Sequence, residues 1–179
     1  TISGNTAGNA ENQSSCGGGI YSSGTLTVVN STVTGNGVTQ TAGGTQAGGI
    51  LRAGGTATIR NTIVAANLNN GTVADVYAVS ATGFTSSGFN LIGNRGNVTF
   101  GGAGDQSGTG ASPLDPQLGP LQNNGGTTPT HALNVGSQAL DRGNSSGSIF
   151  DQRGLKRPVD LAGITNISDG SDIGAFEAQ

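Results

Sequence analysis

The chain has 179 residues, of which 34 are glycine; aromatic residues make up 4%, and tryptophan and methionine are absent. Charged residues make up only 9% and the net charge is −3, so the chain lacks the basic patch that nucleic-acid binding requires. No run approaches the ~18 consecutive apolar residues of a membrane span, and the length suits one domain whose core consists of small β-branched side chains.

A short ending recurs at intervals of thirty-one residues, as "TISGN" (Thr1–Asn5), "TVTGN" (Thr32–Asn36) and "IVAAN" (Ile63–Asn67). The longer segment Gly17–Asn36 aligns in the same way with Gly48–Asn67. Each unit contains three short β-like runs separated by glycine and asparagine, which are typical turn residues. Three short strands per unit without helical periodicity predict one coil of a parallel β-solenoid.

The repeat also predicts which side chains stack. Two inward rows of apolar residues are expected, one of Leu26 and Val28 above Ala57 and Ile59, the other of Ile2, Val33 and Val64. Asn5, Asn36 and Asn67 are expected to stack at one corner as a ladder of side-chain amides. Asparagine suits such a corner because it tolerates the left-handed backbone of a sharp turn.

Further along the chain the pattern weakens. A fourth, less regular coil is predicted over Asp75–Asn94, and Asn94 closes it as the other asparagines close theirs. We therefore divide the chain into coils at 1–101 and a C-terminal cap at 102–179, which opens with a glycine-rich connector. Four of the seven basic and six of the ten acidic residues lie in Asp141–Glu177, a composition that predicts a cap over the open edge of the last coil.

The sequence begins at Thr1, within a repeat unit and without methionine or a signal-peptide pattern. We therefore interpret the chain as a fragment or a processed product of a longer protein.

The later part of the chain carries a series of motifs in a recognisable order. They are "GFNLIGN" (Gly88–Asn94), "DPQLGPLQNNGGTTPTHAL" (Asp115–Leu133), "GSQALDRGN" (Gly136–Asn144), "DQRGLKRPVD" (Asp151–Asp160) and "DIGAFE" (Asp172–Glu177). In this order they resemble the choice-of-anchor Q domain of secreted bacterial surface proteins. The preceding coils resemble the right-handed parallel β-helix repeats of polymorphic outer-membrane and pectate-lyase-like proteins.

The resemblance implies an all-β fold, a right-handed parallel β-helix of about three to four coils with an irregular C-terminal cap. It also implies a secreted protein located at the bacterial cell surface, because such domains precede sorting or anchoring signals.

A polysaccharide lyase is one alternative, since parallel β-helices often carry such activity. The only cluster with enough charge for it contains Asp151, Arg153, Lys156, Arg157 and Asp160. The run "RGLKR" does not match the Arg-x-Pro-x-x-Arg pattern of pectate lyases. We therefore expect Asp151, Arg153 and Arg157 to be structural residues whose ion pairs tie the cap to the last coil.

A glycoside hydrolase is the other enzymatic alternative, and it needs two carboxylates in one groove. The predicted coils contain only Glu11 and Asp75, so the groove would have to come from coils upstream of this sequence.

Four smaller features have a structural interpretation, and three of them also have a functional alternative. His131 is expected to form a structural hydrogen bond, although a Ser-His-Asp triad is formally compatible with the composition. Asp169 and Asp172 in "SDGSD" form a surface turn or, alternatively, a weak calcium site, and no other cofactor is expected. The threonine pairs Thr25-x-Thr27 and Thr56-x-Thr58 are good strand residues or a very small ice-binding array. The lone cysteine, Cys16, excludes an internal disulfide and is expected to be a packed side chain.

The sequence thus favours a non-enzymatic structural or adhesive module that displays loops such as Gly37–Gly48. Its expected partners are glycans or other surface proteins, or further copies that pair with the open N-terminal coil edge and build fibres.

Overall fold

The computed structural model describes residues 1–8, 15–39 and 44–179, and over these ranges the protein is all-β, as predicted. A single 3₁₀ turn at Ala81–Gly83 is the helical part of the described chain. The strands in chain order are β1 (Ile2–Ser3), β2 (Thr6–Gly8), β3 (Ser15–Gly17), β4 (Ile20–Ser22), β5 (Thr25–Val29), β6 (Thr32–Thr34), β7 (Gly37–Thr39), β8 (Thr45–Ala47), β9 (Ile50–Arg52), β10 (Thr56–Arg60), β11 (Ile63–Ala65), β12 (Leu68–Asn69), β13 (Thr72–Val73), β14 (Val76–Ala78), β15 (Phe84–Ser86), β16 (Leu91–Ile92), β17 (Gln106–Ser107), β18 (Leu118–Gln122) and β19 (Thr130–Leu133).

Strands from successive repeats pair in parallel. The largest sheet has the order β1-β6-β11-β16-β17, and two further parallel sheets are β5-β10-β15 and β4-β9-β14. A fourth sheet, β2-β7-β12-β13, is parallel except for its last pair, and β3 pairs with β8. The repeat in the sequence therefore corresponds to a repeat in the structure, in which each strand pairs with the equivalent strand of the next unit.

The register is the one that the sequence predicts. Leu26 pairs with Ala57 and Val28 with Ile59, while the other row pairs Ile2 with Val33 and Val33 with Val64. These side chains belong to one apolar cluster, to which the three parallel sheets all contribute. Most of its members are β-branched or small. A chain poor in aromatic residues can therefore still build a core from which water is excluded.

The strands do not stop at the predicted boundary after residue 101. β17 lies in the segment predicted as a flexible connector, and it pairs in parallel with β16. Just before it, Val98 and Phe100 enter the apolar cluster, with the Phe100 ring edge-to-face against Phe84 at 5.8 Å between centroids. The C-terminal end of the stacked strands is therefore covered by residues next to the repeats.

Most of residues 102–179, here called the C-terminal segment, lies elsewhere than the sequence predicts. Ala139 and Ile173 form a second apolar cluster with Ile63, Ala65 and Leu91. Because side chains alternate along a strand and Val64 belongs to the first cluster, Ile63 and Ala65 are on the opposite face of β11. From Leu114 onward the segment thus packs along the outer face of the largest sheet, whereas its first part, which contains β17, adds to the end of the last repeat.

Hydrogen bonds extend this lateral packing over several repeats. The Ala175 N–H donates to Thr32 Oγ1 at 3.1 Å, and the Gly174 N–H donates to the carbonyl of Asn61. Near the first repeat, Ser3 Oγ lies 2.8 Å from His131 Nε2 on β19. The C-terminal segment is therefore a brace along the side of the repeats.

Candidate functional site

Asn5, Asn36 and Asn67 stand in one row, in the order predicted from the sequence. The Nδ2 of Asn5 donates to Oδ1 of Asn36 at 2.9 Å, and the Nδ2 of Asn36 donates to Oδ1 of Asn67 at 2.9 Å. Each backbone N–H donates to the same oxygen as the side chain, at 3.0 and 3.1 Å. Every asparagine thus gives two hydrogen bonds to the next repeat, so the row has a direction.

The row ends on a carboxylate that the sequence analysis had not linked to it. Both the N–H and the Nδ2 of Asn67 donate to Oδ1 of Asp75 at 2.8 Å. Asp75 Oδ2 in turn accepts the backbone N–H of Asn94 at 2.7 Å. A carboxylate accepts on both oxygens and has no donor of its own, so it ends a row of donors without leaving one unpaired. We call Asn5, Asn36, Asn67 and Asp75 the amide column.

Asp75 is fully buried, and burial raises its pKa to about 6 even though the hydrogen bonds from Asn67 and Asn94 lower it. Asn94 takes a different position from the other asparagines, since its own Nδ2 donates to the carbonyl of Val73 at 2.7 Å. The sequence signal for Asp75 was only its place as one of two acids in the predicted coils, the other being Glu11.

The corner geometry differs from the prediction in one respect. The left-handed backbone falls on the residue before each asparagine, with φ of 71° at Gly4, 64° at Gly35 and 58° at Ala66. Positive φ is found instead at Asn70, at 46°, and at the pair Asn30 and Asn61, at 47° and 45°. This pair forms a second corner, where Asn61 Nδ2 donates to Asn30 Oδ1 at 2.9 Å. Their spacing of thirty-one residues is the signal that could have found it.

Glycines next to the column explain the repeated "GGI". A Cβ added at Gly49 would lie 2.3 Å from the carbonyl oxygen of Asp75 and 2.9 Å from Asn67 Nδ2. A Cβ at Gly19 would lie 3.0 Å from Asn36 Nδ2. Neighbouring backbone packs so closely against the column that only glycine fits at these positions.

A second polar site lies inside the C-terminal segment. Arg157 Nε donates to Glu177 Oε2 at 2.7 Å, and both side chains are almost completely buried. Arg153 pairs with Asp151 at 2.8 Å, and its guanidinium lies 3.7 Å from the centre of the Phe176 ring. The ion pairs predicted for these arginines therefore exist, but both lie within the segment and neither joins it to a repeat.

Four carboxylates of this site are linked by a series of backbone hydrogen bonds. The N–H of Asp141 donates to Asp172 Oδ1 at 2.8 Å, and the N–H of Asp172 donates to Glu177 Oε2 at 3.0 Å. The N–H of Glu177 donates to Asp151 Oδ2 at 3.1 Å. We call Asp141, Asp172, Glu177 and Asp151 the carboxylate relay. It uses the same bond type as the amide column, with acids where the repeats have amides.

Charge in the relay is only partly balanced, because four acids share two arginines. The pKa of Asp172 is raised to about 7, mainly by burial and in part by the nearby charges of Glu177 and Asp141. Burial also raises the pKa of Asp141 and of Glu177, the latter against the opposing effect of Arg157. Asp141 Oδ1 is buried and has no hydrogen-bond partner among the described residues. All four acids of the relay are therefore buried inside the segment.

The remaining members of the predicted lyase cluster do not join this site. Lys156 and Asp160 are exposed, whereas the guanidinium of Arg153 is engaged by Asp151 and by the carbonyls of Asn124 and Glu177.

The two aspartates considered for calcium have separate environments. Asp169 accepts hydrogen bonds from the N–H and the hydroxyl of Ser145 and of Ser171. Burial acts to raise the pKa of Asp169, but these hydrogen bonds outweigh burial, so the pKa is lowered. Asp172 belongs to the relay and accepts the N–H of Ala178 on its other oxygen. Among the described residues, no group of three or more His, Cys, Asp or Glu side chains is placed to hold a metal ion.

His131 bridges the two regions of the chain. Its Nδ1 lies 2.7 Å from the carbonyl oxygen of Gly119, which can only accept, so Nδ1 carries a proton. In the neutral ring Nε2 then accepts the Ser3 hydroxyl. Ser3 also lines an open cleft of about 270 Å³ with Thr128 and Gln152. Hydrogen bonds thus align Ser3, His131 and the carbonyl of Gly119. In this fold the three groups link β1 to the β18–β19 hairpin.

The remaining features singled out in the sequence are the threonine pairs, Cys16, Glu11 and the loop Gly37–Gly48. Thr25 pairs with Thr56 and Thr27 with Thr58 on β5 and β10. Cys16 is buried and free. Glu11 and residues 40–43 of the loop Gly37–Gly48 lie outside the described residues.

Within the described ranges, no helix has the length and apolar character needed to cross a membrane. Comparison of the chain with protein-family models, with curated proteins and with solved structures gives no match.

Proposed function

We propose that this chain is a rigid, non-enzymatic β-helix module of an exported bacterial surface protein, related to the choice-of-anchor Q proteins that it resembles. It holds loops in fixed positions for contact with glycans or other surface proteins. The observation that carries the proposal is the amide column, since its side-chain hydrogen bonds between successive repeats fix their spacing and their register.

The β-helix part of the proposal is supported by the order of the strands. β4, β5 and β6 follow one another in the chain and belong to three different sheets, and β9–β11 and β14–β16 repeat this order. All three sheets send side chains into one cluster, as expected when each repeat makes one full turn around a common core. The right-handed sense follows from the family resemblance and from the handedness of most parallel crossovers.

The adhesive role is supported by the surface of the repeats. The outward positions of β5 and β10 are mainly threonine, and the side chains of Thr25, Thr27 and Thr56 are exposed. In the C-terminal segment, Arg153 and Arg157 are turned inward and paired with acids. Neutral hydroxyl-rich faces suit contact with sugars better than cleavage of a charged polymer.

The test is a panel of neutral and acidic polysaccharides, incubated with the protein with and without calcium. We expect binding to a subset of them and no new chain ends. Release of new chain ends that is abolished by chelation, or by Arg153→Ala in a protein whose circular dichroism is unchanged, would overturn the proposal in favour of a lyase. Lys156→Ala is the matched control, because this neighbouring cation is exposed.

A further inference from the structure

The two ends of the stacked strands are finished differently. At the C-terminal end, Val98 and Phe100 cover the core. The side chain of Asn97 accepts the N–H of Ala78 at 3.0 Å and donates to its carbonyl at 2.7 Å, so it occupies the edge of β14 as a strand would. Asp75 ends the amide column on the same side.

The other end has no comparable cover among the described residues. β1, β2, β3, β4 and β5 each pair with the following repeat only, and we call their free edges the N-terminal face. Three apolar side chains of this face are half-buried, although their partners in the next repeat are 0% exposed. The pairs are Ile2 with Val33, Ile20 with Ile50 and Leu26 with Ala57.

The amide column indicates which hydrogen-bonding group a partner at the N-terminal face must provide. Oδ1 of Asn36 and Oδ1 of Asn67 each receive two donors from the preceding repeat. Oδ1 of Asn5, by contrast, receives no hydrogen bond from the described residues, and Asn5 is exposed. A partner that fits this face must donate a hydrogen bond to Oδ1 of Asn5. It must also pair in parallel with the free strand edges on each side of that corner.

We propose that the N-terminal face is a docking surface for one further repeat unit of the same chemistry. The partner is an extended segment with apolar residues above Ile2, Ile20 and Leu26 and an asparagine above Asn5. This inference rests on strand pairing and on the direction of the column, and it does not depend on the adhesive role.

A second intact copy of this chain is the less suitable occupant. Head-to-tail stacking would place the N-terminal face against the end that Asn97, Val98 and Phe100 already cover. Head-to-head stacking would run the strands antiparallel and bring the acceptor of one Asn5 against the acceptor of the other. The fibres expected from the sequence therefore require a partner that supplies a free repeat unit.

The experiment adds such a unit to the complete chain. A duplicate of residues 1–31, one full repeat period, is fused directly before Thr1, so that its own asparagine falls above Asn5. We expect Tm to rise by roughly 5 °C or more and amide exchange in β4 and β5 to slow at least tenfold. Exchange in the β18–β19 hairpin, which the duplicate does not touch, reports that the original fold is retained.

The matched control carries the same duplicate with its Asn5→Ala and Ile2→Ser changes, and we expect most of the gain to be lost. Unchanged exchange in β4 and β5 with the intact duplicate would overturn the proposal. So would light scattering that shows a dimer of the unmodified chain together with protection of the same amides, since the occupant would then be a second copy. Neither result bears on glycan binding.

Discussion

In both the repeats and the C-terminal segment, side-chain oxygens accept hydrogen bonds from backbone N–H groups. The acceptors are amides in the repeats and carboxylates in the segment. In the amide column, the backbone N–H of Asn36 donates to a neutral amide of the next repeat. In the carboxylate relay, the N–H of Asp172 donates to the carboxylate of Glu177. Amides can repeat indefinitely because each is both donor and acceptor, whereas carboxylates only accept and need cations beside them. The amide column therefore needs an ionisable group only at its end, at Asp75, whereas the irregular segment depends on its two arginines.

The comparison teaches where each region is vulnerable. Loss of one amide leaves a neutral group unpaired, which costs ~1–3 kcal/mol. Loss of one arginine leaves a buried charge unpaired, which costs more.

The largest effect is expected for Arg157→Met. The substitution keeps much of the volume but leaves Glu177 buried without its cation, so we expect the free energy of unfolding to fall by about 3–5 kcal/mol. In thermal denaturation this corresponds to a loss of roughly 10 °C in Tm. Lys156→Met is the control, because Lys156 is exposed, and it should change stability by less than ~0.5 kcal/mol. Equal effects of the two variants would show that the ion pair is not buried.

The amide column is tested by Asp75→Asn. Asparagine can accept on one oxygen only, so either the donors of Asn67 or the N–H of Asn94 would face an NH₂ group. We expect a loss of ~1–3 kcal/mol in urea unfolding. Asp160→Asn, which removes an exposed carboxylate, should be neutral. A neutral Asp75→Asn would mean that the column does not need an acceptor at its end.

The pH dependence separates the two regions. The folded pKa of Asp172 is raised to about 7 and that of Asp75 to about 6, both from 3.8, so the folded state binds protons that the unfolded state has released. Stability is therefore highest near the unfolded pKa and falls as pH rises, with a limiting slope of about 1.4 kcal/mol per pH unit for each group.

The fall should end near pH 6 for Asp75 and near pH 7 for Asp172. Urea unfolding at a series of pH values measures it, and Asp172→Asn should flatten the curve between these two limits. Asp75→Asn should flatten it only at lower pH. A stability that rises with pH through this range would contradict the raised pKa values.

The smallest effect concerns the link between the regions. Ser3→Ala leaves Nε2 of His131 without its hydroxyl partner, and we expect a loss of about 1 kcal/mol in thermal unfolding. Ser31→Ala is the control, since the Ser31 hydroxyl bonds to the carbonyl of Val29 within its own turn. A similar loss in both variants would show that the contact across the two regions adds nothing.

Much of the repeat region was predictable because its signal is periodic. The pairing of Ile2 with Val33, and of Val33 with Val64, follows from one spacing applied twice. Asp75 was not found, because the end of a row occurs once and leaves no repeat to detect. Sequence composition revealed that Arg153 and Arg157 pair with acids, but Glu177 lies twenty residues beyond Arg157 with no pattern between them. The lateral course of the segment has no local signal at all, since it depends on the outer face of β11.

That lateral course has a consequence for how the protein folds. Stacked repeats alone would gain stability one neighbour at a time, and an end could unravel without disturbing the rest. The brace joins positions far apart in the chain, with His131 on Ser3 and Ala175 on Thr32, at separations of 128 and 143 residues. These contacts form only after more than a hundred intervening residues have been synthesised, so the C-terminal segment decides when the early repeats become locked. Folding should thus proceed from a loose, locally ordered stack to a single cooperative unit in one late step.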